Sequence, residues 1–434
     1  MRLQPLAFAF AATCAASPAA WAQAQLTSSS SSGPSLESLS IGVGRQLSTR
    51  GLASGLKLGQ EAILHAALMA DIGYDTNVFY GSTEGTKPAP VLHIGPRLEI
   101  TNAERDGSIP SGTYYDVYAG LDWRKYLSSD TGITEQDALN PSAGGTAELS
   151  SGQTMGFLLS DNFSRYQQPP WSEGPPIIRD DNMASAGLRY APGGGRLRFN
   201  LRYTNLIDKY EGNFSDASNM GNEIVLDAGW RWLPKTTIYA QVAQGVITYF
   251  SSGRVTSYPL RTLAGLRGLV TEKVAVNVAA GYSNAFYSSG ENPSGFGNVG
   301  IVTEVNYTID LLSRAGLGYR HDFANSPFVG QYYNLDAIYG AYQQMIASRV
   351  VAYLFGRYEN RRFGTVLDPA TNTPINRTDN YIMGGVSVDY MIGNFILAGA
   401  SYSLNFNRSS VTTGTAAGVD YTKQVLLFRL GVVY

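Results

Sequence analysis

The sequence predicts an all-β fold: a transmembrane antiparallel up-and-down β-barrel of the bacterial outer membrane, about 18 strands (16 as the alternative), both termini periplasmic. Three observations carry this. The body alternates apolar and polar residues in stretches of about ten, the pattern of a membrane-spanning strand. After the first twenty or so residues no run of about 18 apolar residues occurs, which excludes membrane helices. The last stretch, Tyr421 to Tyr434, alternates Leu426, Phe428, Leu430, Val432 and Tyr434 and stops on an aromatic ring.

Composition agrees. In 434 residues there are 48 glycines, 28 tyrosines and one cysteine, and the formal net charge is −2. A chain so nearly neutral has no basic face for nucleic acid. Residues 1–24 read as a secretory signal. Arg2 supplies its positive start, Leu6 to Ala16 its short apolar centre, and Ala20-Trp21-Ala22 and Ala22-Gln23-Ala24 its small-residue cleavage sites. The single cysteine, Cys14, lies inside that signal, so no disulfide or cysteine-metal chemistry is expected of the mature chain. Residues 25–56 form a Ser-rich lead (Ser28 to Ser32, then Gly33-Pro34) that cannot bury a core. The stretch from Ile41 to Gln60, which runs past the end of this lead, is open between a periplasmic arm, a small plug and an extra strand. Residues 57–434 form the barrel.

Along the first strand, Leu64, Ala66, Leu68, Ala70, Ile72, Tyr74 and Val78 share one parity; His65, Met69, Asp71, Gly73, Asp75 and Asn77 share the other. The second opposes Leu92, Ile94, Leu98 and Ile100 to His93, Gly95, Arg97, Glu99 and Thr101. Leu197 to Thr204, Ile224 to Trp232 and Val276 to Ser283 repeat the split, while it blurs between Ala143 and Arg165. A soluble sandwich would turn the apolar parity inward; a membrane barrel turns it to lipid and the polar parity to the lumen. Aromatics at strand ends (Tyr114-Tyr115, Trp230, Trp232, Tyr332-Tyr333, Tyr390) suit interface girdles. Tight turns at Ala191 to Gly195, Leu233 to Lys235, Thr271 to Lys273 and Ile392 to Asn394 alternate with longer loops at Gln167 to Asp180, Glu211 to Met220 and Arg362 to Arg377. Short periplasmic turns and long external loops are the expected asymmetry. The final strand is expected to serve as the assembly signal that the barrel assembly machinery reads, and to close against the first.

The stretch Gly73-Tyr74-Asp75-Thr76-Asn77-Val78-Phe79 resembles the opening strand of the putative β-barrel porin-2 family. The resemblance covers the body from about Gly59 to Tyr434. It implies an outer-membrane barrel associated with exopolysaccharide production and export. It transfers no catalytic residue.

Alternation places the charges almost wholly inside. Asp71, Asp75, Glu99, Asp116 and Asp122, with Arg97 and Arg124, come from the early strands; Arg189, Arg198, Arg202, Arg231, Arg261 and Arg267 come from the middle, with Asp227 as the exception. Two arrangements follow. An acidic sector facing a basic one would set a transverse field and ion selectivity. Alternatively the charges pair across neighbouring strands and solvate the wall, which the later mixture of Arg314, Arg320, Arg349, Arg357 and Arg429 with Glu304, Asp322, Asp336 and Asp389 suits. Tyr118, Tyr353 and Phe355 fall on the lumen parity and are candidates for a sugar-stacking track. Enzymatic chemistry is not expected: His65, His93 and His321 are the only histidines, and no nucleophile with a base can be assembled around them. No cofactor or metal site is expected. The expected partners are outer-membrane lipid, the assembly machinery, and a polysaccharide or small solutes; no interface signal indicates an oligomeric state. The reading is a passive conduit linked to exopolysaccharide, with general solute diffusion and a non-conducting adhesive barrel as alternatives.

Overall fold

The computed structural model describes residues 55–434 apart from 60–61, 83–85, 103–111, 152, 169–176, 252–253, 288–295, 311, 326–331, 348, 365, 368–373 and 412–419. The signal, most of the lead and the Pro-rich part of the Gln167 to Asp180 loop lie outside these residues.

The alternating stretches fold as strands because period-2 patterning lets one side of a pleated ribbon bury while the other faces a second medium. In chain order they are β1 (Ala62–Asp75), β2 (Ala89–Thr101), β3 (Gly112–Tyr126), β4 (Ala138–Ser151), β5 (Met155–Gln168) and β6 (Ile177–Tyr190). Next come β7 (Leu197–Tyr210), β8 (Asn219–Leu233), β9 (Thr236–Tyr249), β10 (Ser257–Leu269), β11 (Val274–Tyr287) and β12 (Phe296–Asp310). The last six are β13 (Ser313–Asn325), β14 (Tyr332–Ile346), β15 (Val350–Phe363), β16 (Thr378–Ile392), β17 (Ile396–Ser409) and β18 (Tyr421–Val433). Each pairs antiparallel with its sequence neighbour, and β1 pairs with β18. Among the described residues the sheet is therefore a closed barrel of eighteen strands, with a three-residue arm strand (Leu56–Leu58) as its nineteenth member. Strands about 4.8 Å apart and tilted by roughly 40° close, at this number, on a backbone radius of about 18 Å.

The outer face is apolar. Leu68, Ile72, Leu98, Leu201, Ile224, Leu226, Leu266, Val278, Leu317, Leu354, Phe428 and Leu430 are all exposed large side chains, a continuous belt that water would not tolerate on a soluble protein. From Ile382 to Ile392 on β16 this belt spans about 25 Å, the hydrocarbon height of such barrels. Its short-link edge carries exposed Trp230, Trp232 and Tyr390, and Tyr434 stacks on Phe395 with centroids 6.0 Å apart. Toward the long-loop edge, outward tyrosines hold polar partners: Tyr203 donates to Asn222 at 2.7 Å, Tyr358 to Asn380 at 2.8 Å and Tyr319 to Asp336 at 2.9 Å. An apolar ring with a hydrogen-bonded tip suits a boundary between oil and water.

Three expectations need correcting. Val78 does not share the lipid face: it lies beyond β1, buried with Ala89, Val91, Tyr126 and Ile133 in a small core under the loops. Tyr114 and Tyr333 are buried on the inward parity, and Tyr332, on the other parity, is buried against Ala285, Phe323 and Tyr287, so none of the three stands in a girdle. Nor is charge confined to the lumen. Asp336 lies on the outer face, bonded to His321 at 2.7 Å and to Arg362, and Asp161 is outward too, accepting from Asn182 at 2.9 Å. The blurred region from Ala143 to Arg165 is β4 and β5. Small residues occupy both parities of β4, and Leu158 faces inward on β5 while Asp161 faces outward, so hydropathy loses its period there.

Closure is tight. Ala66 and Tyr434 exchange both backbone hydrogen bonds, at 2.8 and 3.1 Å, and the register continues from Ala67 opposite Val433 to Asp75 opposite Val425. At Gly73 a Cβ would lie 1.8 Å from the Leu426 carbonyl oxygen, so only a bare Cα fits. Beyond the chain end, the arm strand takes the same edge of β1, with Leu56 opposite Leu64 and Leu58 opposite Ala62. Gly73→Ala is therefore expected to destabilise the barrel by about 1–3 kcal/mol through overpacking. The folded band on an unheated gel should then convert to the unfolded position at a lower temperature than wild type; an unchanged conversion temperature contradicts the close approach.

Candidate functional site: the charged lumen wall

Because side chains alternate across a strand, burial on one parity and exposure on the other assigns each charged residue to the wall. Asp71, Asp75, Arg97, Glu99, Asp116, Asp122, Arg124, Arg189, Arg198, Arg202, Arg231, Arg261 and Arg267 all stand on the inward parity of their strands. Tyr118, Tyr353 and Phe355 do too.

The wall beside the seam is acid-rich and tightly paired. Arg429 on β18 donates to Asp71 at 2.8 Å and reaches Asp389 on β16 at 3.3 Å. Asp75 accepts from Lys423 at 2.6 Å and from the Tyr126 hydroxyl at 3.0 Å. His93 and Asp122 lie 3.0 Å apart, and Asn140 donates to the same carboxylate at 3.1 Å. Arg97 stacks over Tyr118 at 4.1 Å, with its guanidinium 3.7 Å from Glu99. Arg124 donates to carbonyl and side-chain oxygens of Gln167 and to the Gln136 carbonyl. Apart from the Arg377–Asp379 pair at the rim, Asp71, Asp75, Glu99, Asp116, Asp122 and Asp389 outnumber Arg97, Arg124, Lys423 and Arg429 in this sector.

The middle strands carry the opposite excess. Arg267 forks onto Asp227 at 2.9 and 3.3 Å, stacks on Tyr239 at 4.5 Å, and shares Asp227 with Asn200. Arg189 meets Glu148 at 2.8 Å, and Arg231 donates to the Gly194 carbonyl at 2.6 Å. Arg261 spans to β13, where Asp322 also takes Arg320 at 2.5 Å. Arg198 and Arg202 have no carboxylate within ion-pair distance among the described residues, and Arg202 has buried Nε and Nη2 atoms with no hydrogen-bond partner. Pairing thus quenches most of the wall charge, and what it leaves is sorted by sector.

Tyr353 and Phe355 stack at 5.9 Å and pack with Tyr381, Met383 and Tyr339 on β14 to β16. Tyr118 stands apart on β3 under Arg97, and Phe355 is buried, so the three rings form no continuous track. Several wall residues were not singled out by sequence: Lys423, Glu359 between Arg357 and Arg361, and Asp208, which holds Arg179 at 2.5 Å. Parity alone would have placed Lys423 beside Arg429 on the lumen side. Among the described residues no group of three or more His, Cys, Asp and Glu side chains is arranged to hold a metal ion.

No family pattern and no curated protein sequence matches the chain. Solved barrels match its architecture. OccAB3 of Acinetobacter baumannii is 11% identical with a TM-score of 0.45, over 86% of this chain and 99% of that one. OccK9 (OpdG) of Pseudomonas aeruginosa is 12% identical with a TM-score of 0.45, over 86% and 98%. The FrpB iron transporter of Neisseria meningitidis is 8% identical with a TM-score of 0.47, over 89% and 82%. The closed sheet and its outward apolar belt make this chain an outer-membrane β-barrel.

Asp322 holds two buried guanidiniums at once. Asp322→Ala is expected to cost about 3–5 kcal/mol by removing the carboxylate that the two share. The check is urea unfolding of the refolded barrel in detergent micelles; a loss below about 1 kcal/mol contradicts the pairing.

Proposed function

We propose that this barrel is a porin-like channel that passes small hydrophilic solutes across the outer membrane, with both chain ends on the periplasmic side. One observation carries it: charged and polar side chains, most of the charged ones paired, recur along the inward parity of an eighteen-stranded wall. A barrel of 16 to 18 strands leaves an aqueous passage unless something fills it, and a wall carrying this many charged and polar groups suits water and dissolved solutes rather than a dry core. The alternation of short and long connections supports the orientation, since the first barrel strand begins and the last one ends at the short-link edge.

A link to exopolysaccharide is the finer proposal, and it rests on the resemblance in Gly73 to Phe79. In this fold that stretch works at the seam. Thr76 exchanges hydrogen bonds with Gln424, Asn77 donates to the Thr422 carbonyl at 3.1 Å, and Lys423 donates to the Asn77 carbonyl at 2.9 Å. These contacts explain the motif by closure alone, so the export role needs its own support.

Planar-bilayer recording of the purified barrel tests the channel, with stable unitary steps in potassium chloride as the expected outcome. A correctly folded barrel that passes no current removes the channel reading. For the finer proposal, a deletion strain should export less polysaccharide; wild-type export removes that link and leaves the channel standing.

A further inference from the structure

The chain joins the barrel at Gly55, and the surroundings of that residue restrict the path of the segment before it. The arm strand pairs with β1 only from Leu56 opposite Leu64 to Leu58 opposite Ala62. Two residues beyond Leu64 the same edge of β1 is already taken, because Ala66 exchanges both backbone hydrogen bonds with Tyr434. The segment before Gly55 must therefore leave the plane of the sheet, and Gly55 turns there with φ 66°, a left-handed conformation that glycine adopts without a Cβ penalty. Two directions are open. The outer side presents exposed Leu56, Leu58, Leu98 and Ile100, an apolar surface on which unpaired amides and carbonyls are costly. On the inner side stand Ile63 and His65. Gly55 lies so close over them that a Cβ there would be 2.5 Å from the Ile63 side chain and 2.9 Å from the His65 ring. A polar backbone is accommodated inward.

The wall on that inner side is acidic and within reach. Glu99 on β2 lies opposite His65, and Asp116 on β3 lies opposite Thr101, which itself lies opposite Ile63, so both carboxylates stand level with the arm. They belong to the seam sector, whose carboxylates outnumber its cations. The segment that passes over them carries the opposite charge: it holds Arg45 and Arg50, with no Asp or Glu from Ser38 to Ser54. Arg50 is five residues from Gly55, at most about 17 Å of extended chain. Strands about 4.8 Å apart put Glu99 and Asp116 within roughly 15 Å of the arm. We propose that residues 41–54 lie inside the short-link mouth of the lumen, with Arg45 and Arg50 against the carboxylates of Glu99 and Asp116. The acid surplus of the seam is then met by the chain's own leading segment, and solutes pass beside it. The placement stands on the geometry at Gly55; its consequence for solutes rests on the channel reading.

Limited trypsin digestion of the full chain, folded in detergent micelles at low salt, tests it, read by mass spectrometry at the Arg45–Gln46 and Arg50–Gly51 bonds. In folded wild type both bonds should be cut at least tenfold more slowly than in the heat-unfolded chain. Glu99→Gln/Asp116→Asn should speed cutting at least threefold, with heat-modified gel migration verifying that the variant is folded. Cutting of folded wild type at the unfolded rate, as for a lead hanging free of the barrel, overturns the placement. Equal resistance in the folded double variant overturns the pairing with the acidic wall. In planar bilayers Arg45→Gln/Arg50→Gln should shift the permeability ratio toward cations by uncovering the carboxylates, and an unchanged ratio contradicts that pairing. Protected bonds in a barrel that carries no current keep the placement and overturn the channel; rapid cutting in a barrel that conducts does the reverse.

Discussion

Everything in this molecule depends on the hydrogen-bonded meeting of its first and last strands. A sheet of this length open at one edge would present a row of unpaired amides and carbonyls to hydrocarbon, each costing several kcal/mol. β1 and β18 remove that edge through a ladder from Ala67–Val433 to Asp75–Val425. The seam is reinforced on its inner side and at its long-loop end. Inside, Asp71 takes Arg429 and Asp75 takes Lys423; at its long-loop end, Thr76 and Asn77 tie the first strand's exit to Thr422 and Gln424. Gly73 lets the two backbones approach where a side chain would hold them apart.

Closure also creates the medium in which the lumen charges are arranged. A wall carrying this many ionised groups must compensate them locally, because lipid lies one residue away along every strand. The observed networks do this mostly between strands one to three apart: Arg267 with Asp227, Arg261 with Asp322, and Arg429 with Asp71 and Asp389. Compensation is uneven. The seam sector keeps a surplus of carboxylates, and the short-link half of β6 to β10 keeps a surplus of guanidiniums. A solute crossing the barrel would therefore meet a wall that differs from side to side, with Arg198 and Arg202 as its least compensated positions.

The barrel and its strand number were legible in the sequence because a lipid-facing parity must be apolar at every second position over ten residues. Leu426 through Tyr434 carry that constraint openly. The pattern failed where geometry, rather than hydropathy, sets the residue. On β4, small side chains on both faces erase the period; on the outer face, Asp336 and Asp161 violate it because hydrogen-bond partners satisfy them locally. Tyr332 and Tyr333 look like girdle residues but are buried among neighbouring side chains, since a tyrosine serves either place equally well. Which charges would lie inward could be read from parity. Which of them pair could not, because Arg261 and Asp322 are three strands and 61 residues apart, and only the closed register brings them together.

The central claim is that β1 and β18 close the barrel in the register described. Ala66 and Tyr434 exchange both backbone hydrogen bonds, so Ala67 and Val433 form the adjacent pair without them, the arrangement in which two Cα atoms come closest. The direct measurement is oxidative cross-linking of a chain carrying Ala67→Cys and Val433→Cys, with Cys14 removed, folded into vesicles. The account predicts near-complete intramolecular disulfide formation and a folded barrel that resists heat better than its reduced form. An Ala67→Cys/Gly431→Cys control should cross-link poorly. Free thiols at 67 and 433 in a folded barrel, or preferential cross-linking of the 67/431 control, would contradict it.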